Sequence, residues 1–174
     1  MGVTRYVALL RGVNVGGVKV PSAELAAMAR DLGLAEVRTV LASGNLLFSS
    51  DDDPAALRAA IEDGLRARFG YDARIVLTTA DHVAAVVDAF PFPEREGRHA
   101  YVLFGSDPDV LDELLAAAAE LPPADEQVAA GDRVVYWDCP KGSTLDTPFA
   151  KLVARSRGRA TTTNRNLRTL RKLV

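Results

Sequence analysis

The stretch Tyr6-Val-Ala-Leu-Leu10 restricts the fold more than any other. It is apolar at both alternating sets of positions, so as a strand it must be central in its sheet and covered on both faces. The residues that follow have to supply those neighbours. Pro21 opens a helix, because proline fits the first helical turn, with Leu25, Met28, Ala29 and Leu32 as its apolar stripe and Gly33 closing it. Residues 37–41 and 46–48 read as strands joined by Ser43-Gly44-Asn45, a hairpin turn in which Gly44 can take a positive φ. Asp53-Pro54 caps and starts a second helix with Leu57, Ile61 and Leu65 on its buried side. Gly70 ends that helix, and Arg74-Ile-Val-Leu77 is the next strand.

This order, β-α-β-β-α-β, is that of the ferredoxin-like fold, and the chain partly repeats it. A helix over residues 79–90 and a Pro91-Phe-Pro93 loop precede a strand at 101–104 and a helix opened by Asp107-Pro108. A hairpin then turns at Gly131-Asp132 into a strand at 134–137. Ala42-Ser-Gly-Asn-Leu-Leu-Phe48 and Ala129-Ala-Gly-Asp-Arg-Val-Val-Tyr136 share one pattern: a small residue, a glycine turn, an apolar strand. The expected fold class is therefore α+β, two tandem ferredoxin-like halves with C-terminal helices. The expected divisions are residues 1–79, residues 80–146 and a basic helical segment at 147–174. In that last segment Thr147-Pro148 starts one helix, and Asn164 caps another that carries Leu167, Leu170 and Leu173.

Composition narrows the function classes. With 48% hydrophobic and 25% charged residues among 174, the chain has the balance of a globular protein. No apolar run approaches the roughly 18–20 residues of a membrane span, so no membrane partner is expected. Val7-Ala-Leu-Leu10 is too short for the core of a signal peptide. A lone cysteine, Cys139, cannot form an internal disulfide, and a reducing cytoplasm fits it best. With only His82 and His99 beside it, no Cys/His zinc site can be assembled. Asp51-Asp52-Asp53 reads as loop and helix cap rather than as a cation site, and no metal or cofactor is expected.

The net charge of −2 conceals an asymmetry. From Thr147 onward there is no acid, and Lys151, Arg155, Arg157, Arg159, Arg165, Arg168, Arg171 and Lys172 give +8 against −10 for the rest. A basic tail over 151–172 either attracts a nucleotide or nucleic acid or neutralises the chain's own acidic body.

The chemistry-bearing stretch is Arg11-Gly-Val-Asn-Val-Gly-Gly17, directly after the first strand. A strand, a glycine loop and a helix can cradle an anion with backbone amides. Neither known phosphate motif is present: Gly17 is followed by Val18-Lys19-Val20 rather than Lys-Ser/Thr, and glycines at 12, 16 and 17 do not make G-x-G-x-x-G. In a ferredoxin-like sheet the first and third strands are antiparallel neighbours, which puts this loop on the same edge as the Ser43-Gly44-Asn45 turn. The candidate ligand-binding set is Arg11 and Lys19 for charge, Gly16 and Gly17 for close backbone approach, and Asn14, Ser43 and Asn45 for hydrogen bonds.

Those residues also carry a resemblance. Leu10-Arg-Gly-Val-Asn-Val-Gly-Gly17, Lys19-Val20-Pro21, Glu24-Leu25 and Ser43-Gly44-Asn45 with Phe48 resemble domain-of-unknown-function family 1697, with its LRGINVGG-type start and its SGN before a strand. Lys151-Leu152, Thr161-Thr162-Thr163, Arg165-Asn166 and Thr169 resemble the family's TTRNW-type close, with Leu167 where the family pattern has tryptophan. The resemblance implies an α+β fold and no activity. It adds Ser143, in the Lys141-Gly142-Ser143-Thr144 loop, and Arg165 and Asn166 as secondary candidates.

The leading expectation is a binding module that holds an anionic, phosphate-bearing nucleotide or nucleic acid at the Arg11–Lys19 loop. One alternative is an enzyme at the same edge, or one using Cys139 with His99, which the strand order brings near each other as a possible nucleophile pair. The other is a structural or protein-interaction role in which polar loops only shape turns.

Overall fold

The computed structural model describes residues 2–12, 19–41, 44–156 and 161–174. Among these the chain is α+β, with two four-stranded antiparallel sheets and six helices. The first sheet takes β1 (Thr4–Arg11), β2 (Ala35–Val40), β3 (Asn45–Ser50) and β4 (Arg74–Thr79) in the order β2-β3-β1-β4. Helices α1 (Ser22–Asp31) and α2 (Pro54–Phe69) connect β1 to β2 and β3 to β4. The helix α3 (Ala80–Asp88) follows. The second sheet takes β5 (Arg98–Gly105), β6 (Gln127–Gly131), β7 (Val134–Pro140) and β8 (Thr162–Asn166) in the order β6-β7-β5-β8. Its connecting helices, α4 (Pro108–Ala119) and α5 (Pro148–Arg155), occupy the same places in the chain order, and α6 (Leu167–Arg171) comes last. Residues 1–84 with 172–174 form one compact unit and residues 85–171 the other.

The apolar run at the start of the chain explains the first unit. Residues 6–10 are all buried, and β1 lies between β3 and β4. Tyr6, Ala8 and Leu10 join Leu25, Met28, Leu57, Ile61 and Leu65 in one core, while Val7 and Leu9 on the other face are also fully buried. Each such Leu or Val contributes about 1.5–3 kcal/mol by leaving water. The α2 cap is as expected: the Asp53 carboxylate accepts from the Ala56 amide at 3.1 Å. Leu32 departs from expectation, being 39% exposed, because α1 ends at Asp31 and leaves it beyond the last turn. At the β2 edge of the sheet the register shifts between Ala35 and Arg38. There Glu36 takes φ 49, and its carboxylate accepts from the Ser49 hydroxyl at 2.6 Å.

The second unit holds the larger departure. Asn164, expected to cap a helix, lies within β8 opposite Leu103. The run of β-branched threonines before it favours extended backbone, and Thr162 and Thr163 are buried in the sheet. The last helix starts instead at Leu167, where the Asn166 side-chain oxygen accepts from the Arg168 amide at 2.9 Å. Residues 147–171 thus supply the fourth strand beside β5 and the helix α5 that packs on α4. The β6–β7 turn consists of Asp132 and Arg133, with Arg133 at φ 58. Gly131 is the last residue of β6, and a Cβ there would stand 2.5 Å from Tyr136 Cε2 and 2.7 Å from Val134 Cγ2. Close side-chain approach, rather than turn geometry, requires that glycine.

Candidate functional site

The described ends of the two glycine loops meet. Leu9 is in register with Asn45, and the Leu10 amide donates to the Gly44 carbonyl at 2.9 Å. Gly12 and Gly44 both adopt left-handed φ, 74° and 76°, where the chain leaves β1 and enters β3. Asn45 is fully buried, and its Nδ2 donates to the Val40 carbonyl at 3.0 Å, closing the turn. Lys19 is exposed at the end of the connection, just before buried Val20. Asn14, Gly16, Gly17 and Ser43 lie outside the described residues.

One residue at this edge was not singled out from sequence. Arg74, the first residue of β4, is in register with Arg11, the last of β1. Directly opposed residues project from the same face of a sheet. Leu10 and Ile75, one step inward, point into the helix-covered core, so both arginines project from the other face. Among the described residues Arg74 has one distant carboxylate, Asp72 at 3.8 Å, which also pairs with Arg66 at 3.3 Å. Counting register outward from Leu10 would have found Arg74 once the strand order was assumed.

His99 stands directly opposite Cys139, as the strand-neighbour argument expects. The thiol, however, is fully buried among Leu103, Val135, Trp137 and Phe149. Desolvation pushes its pKa up to about 11, partly offset by hydrogen bonding from Thr144, with Asp138 and Glu126 adding a smaller upward push. The His99 ring lies 5.2 Å from that of Tyr101. At pH 8 a thiol at about 11 carries about a hundredfold less thiolate than one at its ordinary value of 9.0. Iodoacetamide at pH 8 is expected to label Cys139 only when the chain is unfolded; labelling of the folded protein at the rate of a free thiol would refute this. The folded state also keeps the proton between about 9 and 11, where the unfolded chain releases it. This thiol's contribution to stability is therefore full below pH 9 and is lost as pH rises toward 11.

The secondary candidates lie in the second unit. The Ser143 amide donates to the Pro140 carbonyl at 3.2 Å in a turn where Gly142 takes φ 87. Arg165 is buried on β8 opposite Val102, and its Nη1 donates to the Asn164 carbonyl at 3.0 Å and to the Thr163 hydroxyl. Burial lowers its pKa to about 10, which leaves it charged at neutral pH. Asn166 ends β8, and Leu167 is fully buried, an aliphatic anchor at the position of the family's tryptophan. Among the described tail bases, Lys151, Arg155, Arg168, Arg171 and Lys172 are exposed. Among the described residues no group of three or more His, Cys, Asp or Glu side chains is placed to hold a metal. No helix among them is long and apolar enough to cross a membrane.

These features define a class: an α+β protein built from two sheets of identical strand order, with a cationic loop edge on the first. The chain belongs to the family described as protein of unknown function (DUF1697), whose sequence pattern matches residues 3–136. It is similar to the conserved bacterial protein SP0830 from Streptococcus pneumoniae, with 28% identity and a TM-score of 0.80 over 99% of this chain and 97% of that one. An unknown protein from Galdieria sulphuraria aligns with 95% of this chain and 99% of its own at 10% identity and a TM-score of 0.30. No curated protein matches the chain.

Proposed function

We infer that the chain is a binding module that holds an anionic, phosphate-bearing ligand at the edge where β1 ends. The observation that carries this reading is the register pair Arg11–Arg74. Two guanidinium groups directly opposed on adjacent strands can both reach one anion beside them. The bond from Leu10 to Gly44 supports the reading, because it holds the second glycine turn against the same edge. In this account Arg11, Arg74 and Lys19 contact charge, backbone amides near Gly16 and Gly17 donate, Asn14 and Ser43 orient the ligand, and buried Asn45 acts from behind by holding the turn. The exposed tail bases add salt-dependent attraction to a nucleotide or nucleic acid. Each half is a ferredoxin-like unit in this reading, and the shared strand order supports it. A reducing cytoplasmic setting suits the single buried thiol.

The test uses Arg11→Gln and Arg74→Gln, with thermal shift against inorganic phosphate and ATP and fluorescence anisotropy against short single-stranded RNA. Arg74→Gln is expected to leave the stability of the unliganded protein within about 0.5 kcal/mol, because relief from Arg11 is offset by loss of the Asp72 pair. Both variants are expected to lose ligand-induced stabilisation. Stabilisation by ligand that survives both substitutions overturns the reading. Binding that weakens steeply with salt and ignores both substitutions assigns the polyanion contact to the tail instead.

A further inference from the structure

The second unit carries a polar cleft that none of the residues above explains. Its volume is about 540 Å³, within the size range of small-molecule sites. It lies at the end of the sheet where β5 begins and β7 and β8 end. The Lys141 amide donates to the Gly97 carbonyl at 2.8 Å and ties the segments on either side of this end together.

The floor of the cleft is Asp138, only 2% exposed. Three contacts converge on one of its two oxygens. Arg98 reaches Oδ2 from Nε at 2.8 Å and from Nη2 at 2.7 Å, and Arg95 Nη2 lies 3.6 Å from the same atom. Arg98 is itself fixed from behind, donating from Nη1 to the Asp125 carboxylate at 2.8 Å and from Nη2 to its carbonyl at 3.2 Å. Among the described residues no hydrogen bond to Oδ1 of Asp138 stands beside these, and Oδ1 is not one of the fully buried atoms that lack a partner, so it keeps contact with the cleft. The carboxylate is held rigidly with one acceptor left over.

The wall carries both signs: Glu94, paired with Arg171 at 2.7 Å, and Glu96 line one part of it, and the cations that could take a ligand's charge are Lys141 and Arg168. Lys141 and Arg168 line the cleft, and among the described residues neither side chain has a carboxylate partner. Asn166 also lines it. Its oxygen is used by the Arg168 amide, which leaves the Nδ2 group as a donor. A ligand ammonium does not suit the floor, because two arginines already surround Asp138. A neutral hydroxyl does, as it can donate to Oδ1 without adding charge.

We propose that this cleft binds a small hydroxylated anion, a sugar phosphate or sugar acid, with a hydroxyl donating to Asp138 Oδ1 and the anionic group held by Lys141 and Arg168. The proposal does not rest on the edge at Arg11, since all its residues belong to the second unit.

The experiment titrates the full chain with ribose 5-phosphate, inorganic phosphate and ribose by calorimetry and amide chemical shifts, and repeats it with Lys141→Gln and Arg168→Gln. Both positions are exposed, so the variants fold. Ribose 5-phosphate is expected to bind more tightly than phosphate alone, with ribose weakest. Each substitution is expected to weaken ribose 5-phosphate by about tenfold. Equal affinity for phosphate and ribose 5-phosphate removes the hydroxyl contact to Asp138 and overturns the assignment. So does binding that both substitutions leave intact, or no binding of ribose 5-phosphate at about 10 mM.

Discussion

Asp138→Ala is expected to lower the unfolding free energy by about 3–5 kcal/mol, measured by urea denaturation at neutral pH. The carboxylate is almost fully buried and accepts both Arg98 donors at 2.7–2.8 Å. Removing it leaves a guanidinium that is only 11% exposed with a solvent-facing partner, Asp125, as its remaining carboxylate. The cost comes from the stranded charge rather than from the intrinsic strength of the pair. That distinction is measurable. A double substitution, Asp138→Leu with Arg98→Met, removes both charges and is expected to recover most of the loss. If the double variant is as unstable as Asp138→Ala, the explanation by stranded charge fails. A loss under about 1 kcal/mol in the single variant would mean that water solvates Arg98 in place of the carboxylate.

Phe48→Ala is the second large effect, at about 3–5 kcal/mol. Its ring is 2% exposed, stacks on Tyr6 with centroids 5.5 Å apart, and lies in the core that also contains Leu57 and Ile61. Truncation removes transfer free energy and leaves a cavity between a sheet and helices that cannot collapse fully. Phe48→Leu keeps much of the volume and is expected to cost less than half as much, again by urea denaturation. Equal losses for the two variants would show that the ring stack, not volume, carries the stability. Either way, Phe48, part of the stretch that carries the family resemblance, has a packing role.

The parts of this fold that could be read from sequence are those where one physical requirement acts alone. Tyr6 to Leu10 had to be central because both faces are apolar, and Asp53 with Pro54 marks a helix start whatever lies nearby. The strand β8 has no apolar alternation to mark it: its residues are Thr, Asn and Arg, which read equally well as a polar lead-in to the helix cap expected at Asn164. The candidate site was legible in the same uneven way. Placing the Arg11 loop beside the Gly44 turn required only strand order, and the bond from Leu10 to Gly44 reflects that order. Arg74 needed a residue-level register, and Asp138 needed knowledge of which strand position becomes buried. Neither leaves a local pattern. Cys139 was visible as a residue, but its inertness comes from the surrounding core, which no spacing in the sequence announces.

The irregular edge at Glu36 bears on how this chain behaves in a crowd of copies. A straight outer strand presents a row of unpaired amides and carbonyls on which the edge of another molecule can dock. β2 is such an outer strand, and none of its residues is buried. The break in register between Ala35 and Arg38 interrupts that row, and a non-glycine residue held at φ 49 costs about 1–2 kcal/mol. The Ser49 hydroxyl holds Glu36 in place, and Arg38 adds a charge on the same strand. Straightening this edge, for example by Glu36→Val with Arg38→Thr, would exchange local strain for a surface that templates intermolecular β-pairing, so the kinked strand acts as a guard against aggregation.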